Sequence, residues 1–179
     1  MGKKMWLRVL GLTAVLLLGS AIIAGASVGD AARGRTVMTQ GTEQFVPNAK
    51  IMATLHFAPG PVVIHSGETL TLKHADQTQD PHTLSIVNAD EVPADIEAVF
   101  GCGEPGTPCG DVFGLIGDDE DPPRVINGPG TAPGLDGRLD TLIVFPGESV
   151  SAPVTAPPGT TLHFICAIHA WMQGTITVK

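Results

Sequence analysis

The sequence has no tyrosine, only two tryptophans and three cysteines, and sets 10 lysines and arginines against 18 aspartates and glutamates. The shortage of basic side chains excludes a general binder of nucleic-acid backbone, which works by neutralising phosphates with Lys and Arg. Three cysteines are too few for a disulfide scaffold, and any pairing leaves one over that needs its own explanation. At 179 residues the chain has room for one ordinary domain and a small appendage.

The appendage is at the N-terminus. Lys3, Lys4 and Arg8 precede an apolar core from Val9 to Ala24, and Ala24-Gly25-Ala26 has the small residues of an export cleavage site. Removing residues 1–26 as a signal peptide leaves seven basic against eighteen acidic side chains, a net charge of −11. The competing reading is an uncleaved anchor, because Val9 to Gly29 carries no charge and is long enough to span a bilayer of about 30 Å. Both readings put the remainder outside the cytoplasm, periplasmic or otherwise exported, with membrane contact only through residues 9–29. No cysteine follows the apolar run to take a lipid, and the leader has no twin arginine.

Residues 27–48 are small and polar without a period and are read as a tether, with the domain proper at 49–179. From Ile51 apolar and polar residues alternate, with Ile51, Ala53, Leu55 and Phe57 sharing a face. Ser66-Gly67-Glu68 marks a turn before Thr69 to Leu72, and further strands are expected at His82–Val87, Leu139–Phe145, Ser149–Val154, Thr160–Cys166 and Gly174–Lys179. Short strands between Gly/Pro turns indicate an all-β, antiparallel sandwich or barrel. Residues 88–138 break this rhythm: rich in Gly, Pro and acids, with a helical turn or two at Pro93 to Phe100, they are read as an insertion. Cys102 and Cys109 both lie inside it, and in an exported chain a disulfide between them is expected.

That pairing leaves Cys166, in the run Cys166-Ala167-Ile168-His169-Ala170-Trp171-Met172. A thiol, an imidazole and a thioether lie within seven residues, at the end of one strand and the start of the next. Thiolate with imidazole suits copper, and a His₂Cys set with a weak axial Met is the donor set of an electron-transfer copper site. The second imidazole must come from elsewhere. Leu162, Phe164 and Cys166 share a face, which turns His163 outward; His56 alternates away from Leu55 and Phe57, and His65 sits at a turn. His82 shares the parity of Leu84 and Ile86 at the start of an apolar strand and is the chosen ligand. His74, on the parity of Leu70 and Leu72, is the reserve.

Taken together these residues resemble the cupredoxins, the small blue copper proteins, and the short Cys-x2-His-x2-Met loop is similar to that of the amicyanin branch within the plastocyanin-like group. The resemblance also rests on Ser66-Gly67-Glu68-Thr69-Leu70-Thr71-Leu72, Asp80-Pro81-His82, Pro146-Gly147-Glu148-Ser149-Val150 and Pro158-Gly159-Thr160. It covers about residues 51–87 and 139–179, leaving the insertion aside. It implies a Greek-key sandwich and one type 1 copper ion held by His82, Cys166, His169 and Met172. It also implies a monomer that carries single electrons between redox protein partners, entering and leaving at the His169 edge beside Ala170 and Trp171. The chain departs from the family pattern in having Ala170 where proline is usual, Thr83 after the first histidine, and a long insertion. Ala170 predicts a less restrained ligand loop, from which His169 swings off the metal and protonates in the reduced state at mildly acidic pH.

Two rivals weigh less. Enzymes built on such domains need a second copper site with His-x-His motifs or a histidine beside the cysteine; no His-x-His occurs here and Ala167 follows Cys166. A copper chaperone or store would be richer in methionine, whereas beyond the leader only Met38, Met52 and Met172 remain.

Overall fold

A computed structural model describes residues 34–179, so the expected signal peptide or anchor lies outside the described residues. The strands are β1 (Arg35–Gln40), β2 (Glu43–Val46), β3 (Lys50–Ala53), β4 (His56–Ala58), β5 (Pro61–Ile64), β6 (Thr69–Lys73), β7 (His82–Val87), β8 (Val125–Ile126), β9 (Thr141–Val144), β10 (Ser149–Pro153), β11 (Thr161–Ile165) and β12 (Gln173–Val178). Two helices, α1 (Ile96–Gly101) and α2 (Pro108–Ile116), fall between β7 and β8. Among the described residues no helix is long and apolar enough to cross a membrane.

Alternation along the strands builds the expected all-β sandwich. One sheet runs β10-β6-β1-β4 and the other β5-β12-β11-β7-β9-β8, with β2 and β3 forming a separate hairpin. Most pairs are antiparallel, but β1 runs parallel to β6 and β5 parallel to β12. Leu70 and Leu72 from one sheet and Leu84, Ile86, Phe164 and Ile176 from the other bury their side chains between the layers. Phe57 of β4 meets Phe164 of β11 edge-on at 5.0 Å, joining the two sheets near the middle of the core. Deleting an aromatic of this kind costs roughly 3–5 kcal/mol.

Residues 35–46 correct the tether reading. β1 inserts between β4 and β6, and Val37 and Thr39 are buried within the sandwich. The stretch looks weak in sequence because its pairing partners lie elsewhere in the chain, with Arg35 opposite Leu70 and Val37 opposite Leu72. The expected strand from Ile51 to Phe57 is likewise divided. Leu55 and Phe57 are in the core as expected, but Ile51 is 82% exposed on the β2–β3 hairpin, where it pairs with Phe45.

The insertion forms an outer layer. Val87 and Ile165, on the outward faces of β7 and β11, join Cys102, Cys109 and Val112 in a second apolar cluster, with Val99 and Ile116 packed against it. This is why every residue of β7 is buried and its burial does not alternate. α1 matches the expected short helix and is capped by Asp95, whose side chain accepts from the Ala98 N–H at 2.8 Å. α2 has no counterpart in the sequence reading: two glycines weaken its propensity, yet Thr107 caps it and Pro108 occupies its first turn. The Cys102–Cys109 disulfide joins α2 to the turn after α1, as expected. Gly110 permits that closeness, since a Cβ there would run into the Glu104 carbonyl. Arg138 binds Glu91 and Asp111, each at 2.7 Å, drawing both ends of the insertion onto α2. The returning chain is fixed by the buried Asp140, which accepts from the N–H groups of Gly128, Asp136 and Gly137 and from the Thr131 hydroxyl.

Candidate metal centre

Three of the predicted donors converge at one end of the sandwich. The β7 parity turns His82 inward, β11 delivers Cys166 one residue past its end, and His169 follows in the loop to β12. Cys166 Sγ lies 3.7 Å from His82 Nδ1 and 3.8 Å from His169 Nδ1, and the two ring nitrogens are 3.2 Å apart. His82 and Cys166 are fully buried and His169 is only 5% exposed. Met172 is buried in the same cluster as Cys166. The loop closes on itself, with the Cys166 N–H donating to Met172 O at 2.9 Å and the Met172 N–H to His169 O at 2.8 Å.

The sandwich and the insertion both hold this loop. The Thr83 N–H points at Cys166 Sγ over 3.4 Å, while the Thr83 hydroxyl accepts from the Ala167 N–H at 2.8 Å. Thr83 therefore supports the site through its side chain as well as its backbone. Gln173 spans the other side, donating to Ala170 O at 3.0 Å and to Pro93 O in the insertion at 2.8 Å. β12 can start so close to β11 because residue 174 is glycine: a Cβ there would run into the Phe164 ring and lie 2.7 Å from Gly60 O. Ala167 and Ala170 both pack into the outer cluster with the insertion. The loop expected to be loose without a proline is thus enclosed by apolar contacts. Ala170 is buried, so the exposed edge near the site is carried by Trp171, which is 41% exposed and stands edge-on to His169 at 5.2 Å.

The remaining histidines fall as the parity argument expects for His56 and His65, which are exposed; His163 is partly buried in β11. His74 is buried but is not among the three converging donors; its Nε2 bonds to the Asp80 carbonyl at 3.0 Å and lies 3.8 Å from Asp76 Oδ1. Asp76 was missed. Its carboxylate is fully buried, with Oδ2 2.9 Å from His82 Nε2. The approach is off the axis of a good hydrogen bond, and neither atom has another partner. Oδ1 accepts from the Thr78 N–H at 2.9 Å and the Thr78 hydroxyl at 2.6 Å. The signal was present in the sequence, because the inward parity of Leu70, Leu72 and His74 continues to position 76.

Burial governs the electrostatics. Desolvation pushes the Cys166 thiol up, against the pull of the Thr83 N–H. Desolvation also lowers His82 to about 4, although Asp76 opposes it, and lowers His169, opposed by Glu43 and Asp80. For Asp76 burial works upward, but the nearby Thr39 hydroxyl, the hydrogen bonds from Thr78 and the nearness of His82 outweigh it and hold the carboxyl at about 2. The site therefore presents two neutral imidazoles, each with Nδ1 facing one sulfur. A thiol sulfur and two neutral imidazole nitrogens brought this close together in a buried site are the donor set that a soft cation can share. The residues present fit a bound copper ion.

Comparison with protein-family models finds no match, and comparison with curated proteins finds none either. Among solved structures the chain is similar to a purple cupredoxin from Nitrosopumilus maritimus, at 12% identity and a TM-score of 0.42 over 81% of this chain and 99% of that one. It is similar also to auracyanin A, a "blue" copper protein from Chloroflexus aurantiacus, at 16% identity and a TM-score of 0.43 over 82% and 99% of the two chains. Plastocyanin from Dryopteris crassirhizoma matches at 21% identity and a TM-score of 0.38, over 80% and 99%.

Proposed function

We propose that the protein is a mononuclear type 1 copper protein that carries single electrons between redox partners outside the cytoplasm. The observation that supports this reading is the convergence of His82 Nδ1, Cys166 Sγ and His169 Nδ1 within 3.2–3.8 Å in a buried site. Those three atoms would hold the ion, with Met172 as the weak fourth donor. Bound there, copper supplies a one-electron couple. The chain's part is to keep the donors still, so that little rearrangement accompanies the change of oxidation state. β7 anchors His82, Thr83 ties the Cys166 loop to β7, and the insertion covers that loop from outside.

Burial favours a carrier over an enzyme, because the donors leave no room for a substrate and electrons can cross at the His169 edge. That edge has Trp171 beside it and Glu43 and Asp80 within 3.9 Å of Nε2. With a net charge of −11 after loss of the leader, a basic redox protein is the expected partner. Export by the leader is supported by the Cys102–Cys109 disulfide, which suits an oxidising compartment.

The test is the visible spectrum on adding Cu(II). An intense thiolate-to-copper charge-transfer band, lost in Cys166→Ser, is the expected result. A colourless protein that binds only Cu(I) would replace the carrier with a copper chaperone or store.

A further inference from the structure

The site contains a buried charge that the copper reading does not use. Asp76 lies in the turn between β6 and β7, six residues before His82, and its side chain is fully out of solvent. Oδ1 is committed to the Thr78 N–H and hydroxyl. Oδ2 lies 2.9 Å from His82 Nε2, and both atoms are buried with no hydrogen bond formed. A buried acceptor and a buried ring nitrogen left unpaired each cost roughly 1–3 kcal/mol. Burial therefore favours a proton on Nε2 beside the carboxylate, and with it a free lone pair on Nδ1, the atom that faces Cys166.

We propose that Asp76 is the positioning residue of the centre: it fixes the His82 tautomer and, as a buried negative charge behind that ligand, lowers the reduction potential. This rests on the copper reading above. A carboxylate behind a ligating imidazole makes the ligand more basic and stabilises the higher charge on the metal. Nothing equivalent lies behind His169, whose Nε2 faces the more exposed carboxylates of Glu43 and Asp80 only at 3.9 and 3.8 Å. The asymmetry assigns the tuning to the His82 side, where water cannot screen it.

The experiment uses the full domain with copper and without it. Asp76→Asn keeps the shape and removes the charge. Its expected effect is to weaken Cu(II) binding relative to Cu(I) by about 10–100-fold, read directly as a potential raised by about 59 mV per tenfold. Asp76→Glu should recover part of the wild-type potential. An Asn variant that melts earlier but keeps the wild-type potential would reduce Asp76 to a structural role and overturn the proposal. Should the variant not fold, nitrogen NMR of His82 in the wild-type protein decides instead. A slowly exchanging proton on Nε2, in the metal-free and the Cu(I) forms alike, supports the proposal; a proton on Nδ1 in the metal-free form, or free exchange at Nε2, overturns it. If the wild type shows no charge-transfer band, the copper reading has failed, and the metal-free spectrum still reports separately on the Asp76–His82 contact.

Discussion

The two histidines of the proposed centre lie in opposite settings. His82 is on a strand that is buried at every residue and has a buried carboxylate behind it. His169 is in a seven-residue loop, and its outer nitrogen looks past Trp171 toward exposed acids. An electron carrier needs both settings. One ligand must be immobile so that the site does not rearrange, and the other must come near the surface so that electron transfer is not blocked by distance. On the proposed reading the two demands fall to different elements: a central strand of the sandwich would supply rigidity, and a loop at its end would supply access.

Removing each ring from the metal-free protein is the strongest challenge to this contrast. His82→Ala leaves the Asp76 carboxylate buried without its partner and is expected to cost about 3–5 kcal/mol in chemical denaturation. His169→Ala, at the mouth of the site, should cost less than half as much, and equal losses would erase the distinction. The next largest effect concerns what restrains the loop. Replacing Cys102 and Cys109 together by alanine reopens a short covalent loop, with an expected loss of about 2–3 kcal/mol. In hydrogen exchange the loss should fall on residues 96–116 and spare β7.

Acid should weaken the metal-free fold from the His82 side. His82 lies at about 4 in the fold against an ordinary 6.5, so between those values the unfolded chain binds the extra proton and stability falls as pH falls. Asp76, at about 2 against an ordinary 3.8, adds a second loss as pH drops below the ordinary value. A decline of roughly 1–3 kcal/mol is expected between pH 7 and 4, measured by urea midpoints, and His82→Gln should flatten it. The smallest effect belongs to the exposed acids. Glu43→Gln with Asp80→Asn should change stability by less than about 1 kcal/mol, while slowing electron exchange with a basic partner and weakening its dependence on salt.

Much of this was legible in residue order. Alternation alone separated inward His82, Leu84 and Ile86 from outward His163, and it brought Cys166 to the end of the core where His82 begins. The disulfide followed from compartment and count. What alternation could not show was where a weak strand finds its partner. Residues 35–40 have few strong apolar side chains, and they form a strand because β6 and β4 lie on either side. Likewise α2 is held by a crosslink, a cap and the sheet beneath it more than by propensity. Asp76 was passed over because an acid in a polar turn ordinarily lies in solvent. Only its burial between Thr78 and His82 gives it a role.

The sequence by itself therefore determined the sandwich, its insertion and the four candidate donors, because strand parity and loop spacing are local properties carried by consecutive residues. Tertiary structure decided the rest: that residues 35–40 complete a sheet, that the insertion encloses the loop of residues 166–172, and that a buried carboxylate stands behind one candidate donor and not the other. Those are contacts between distant segments, and their strength depends on burial, which no stretch of sequence contains on its own.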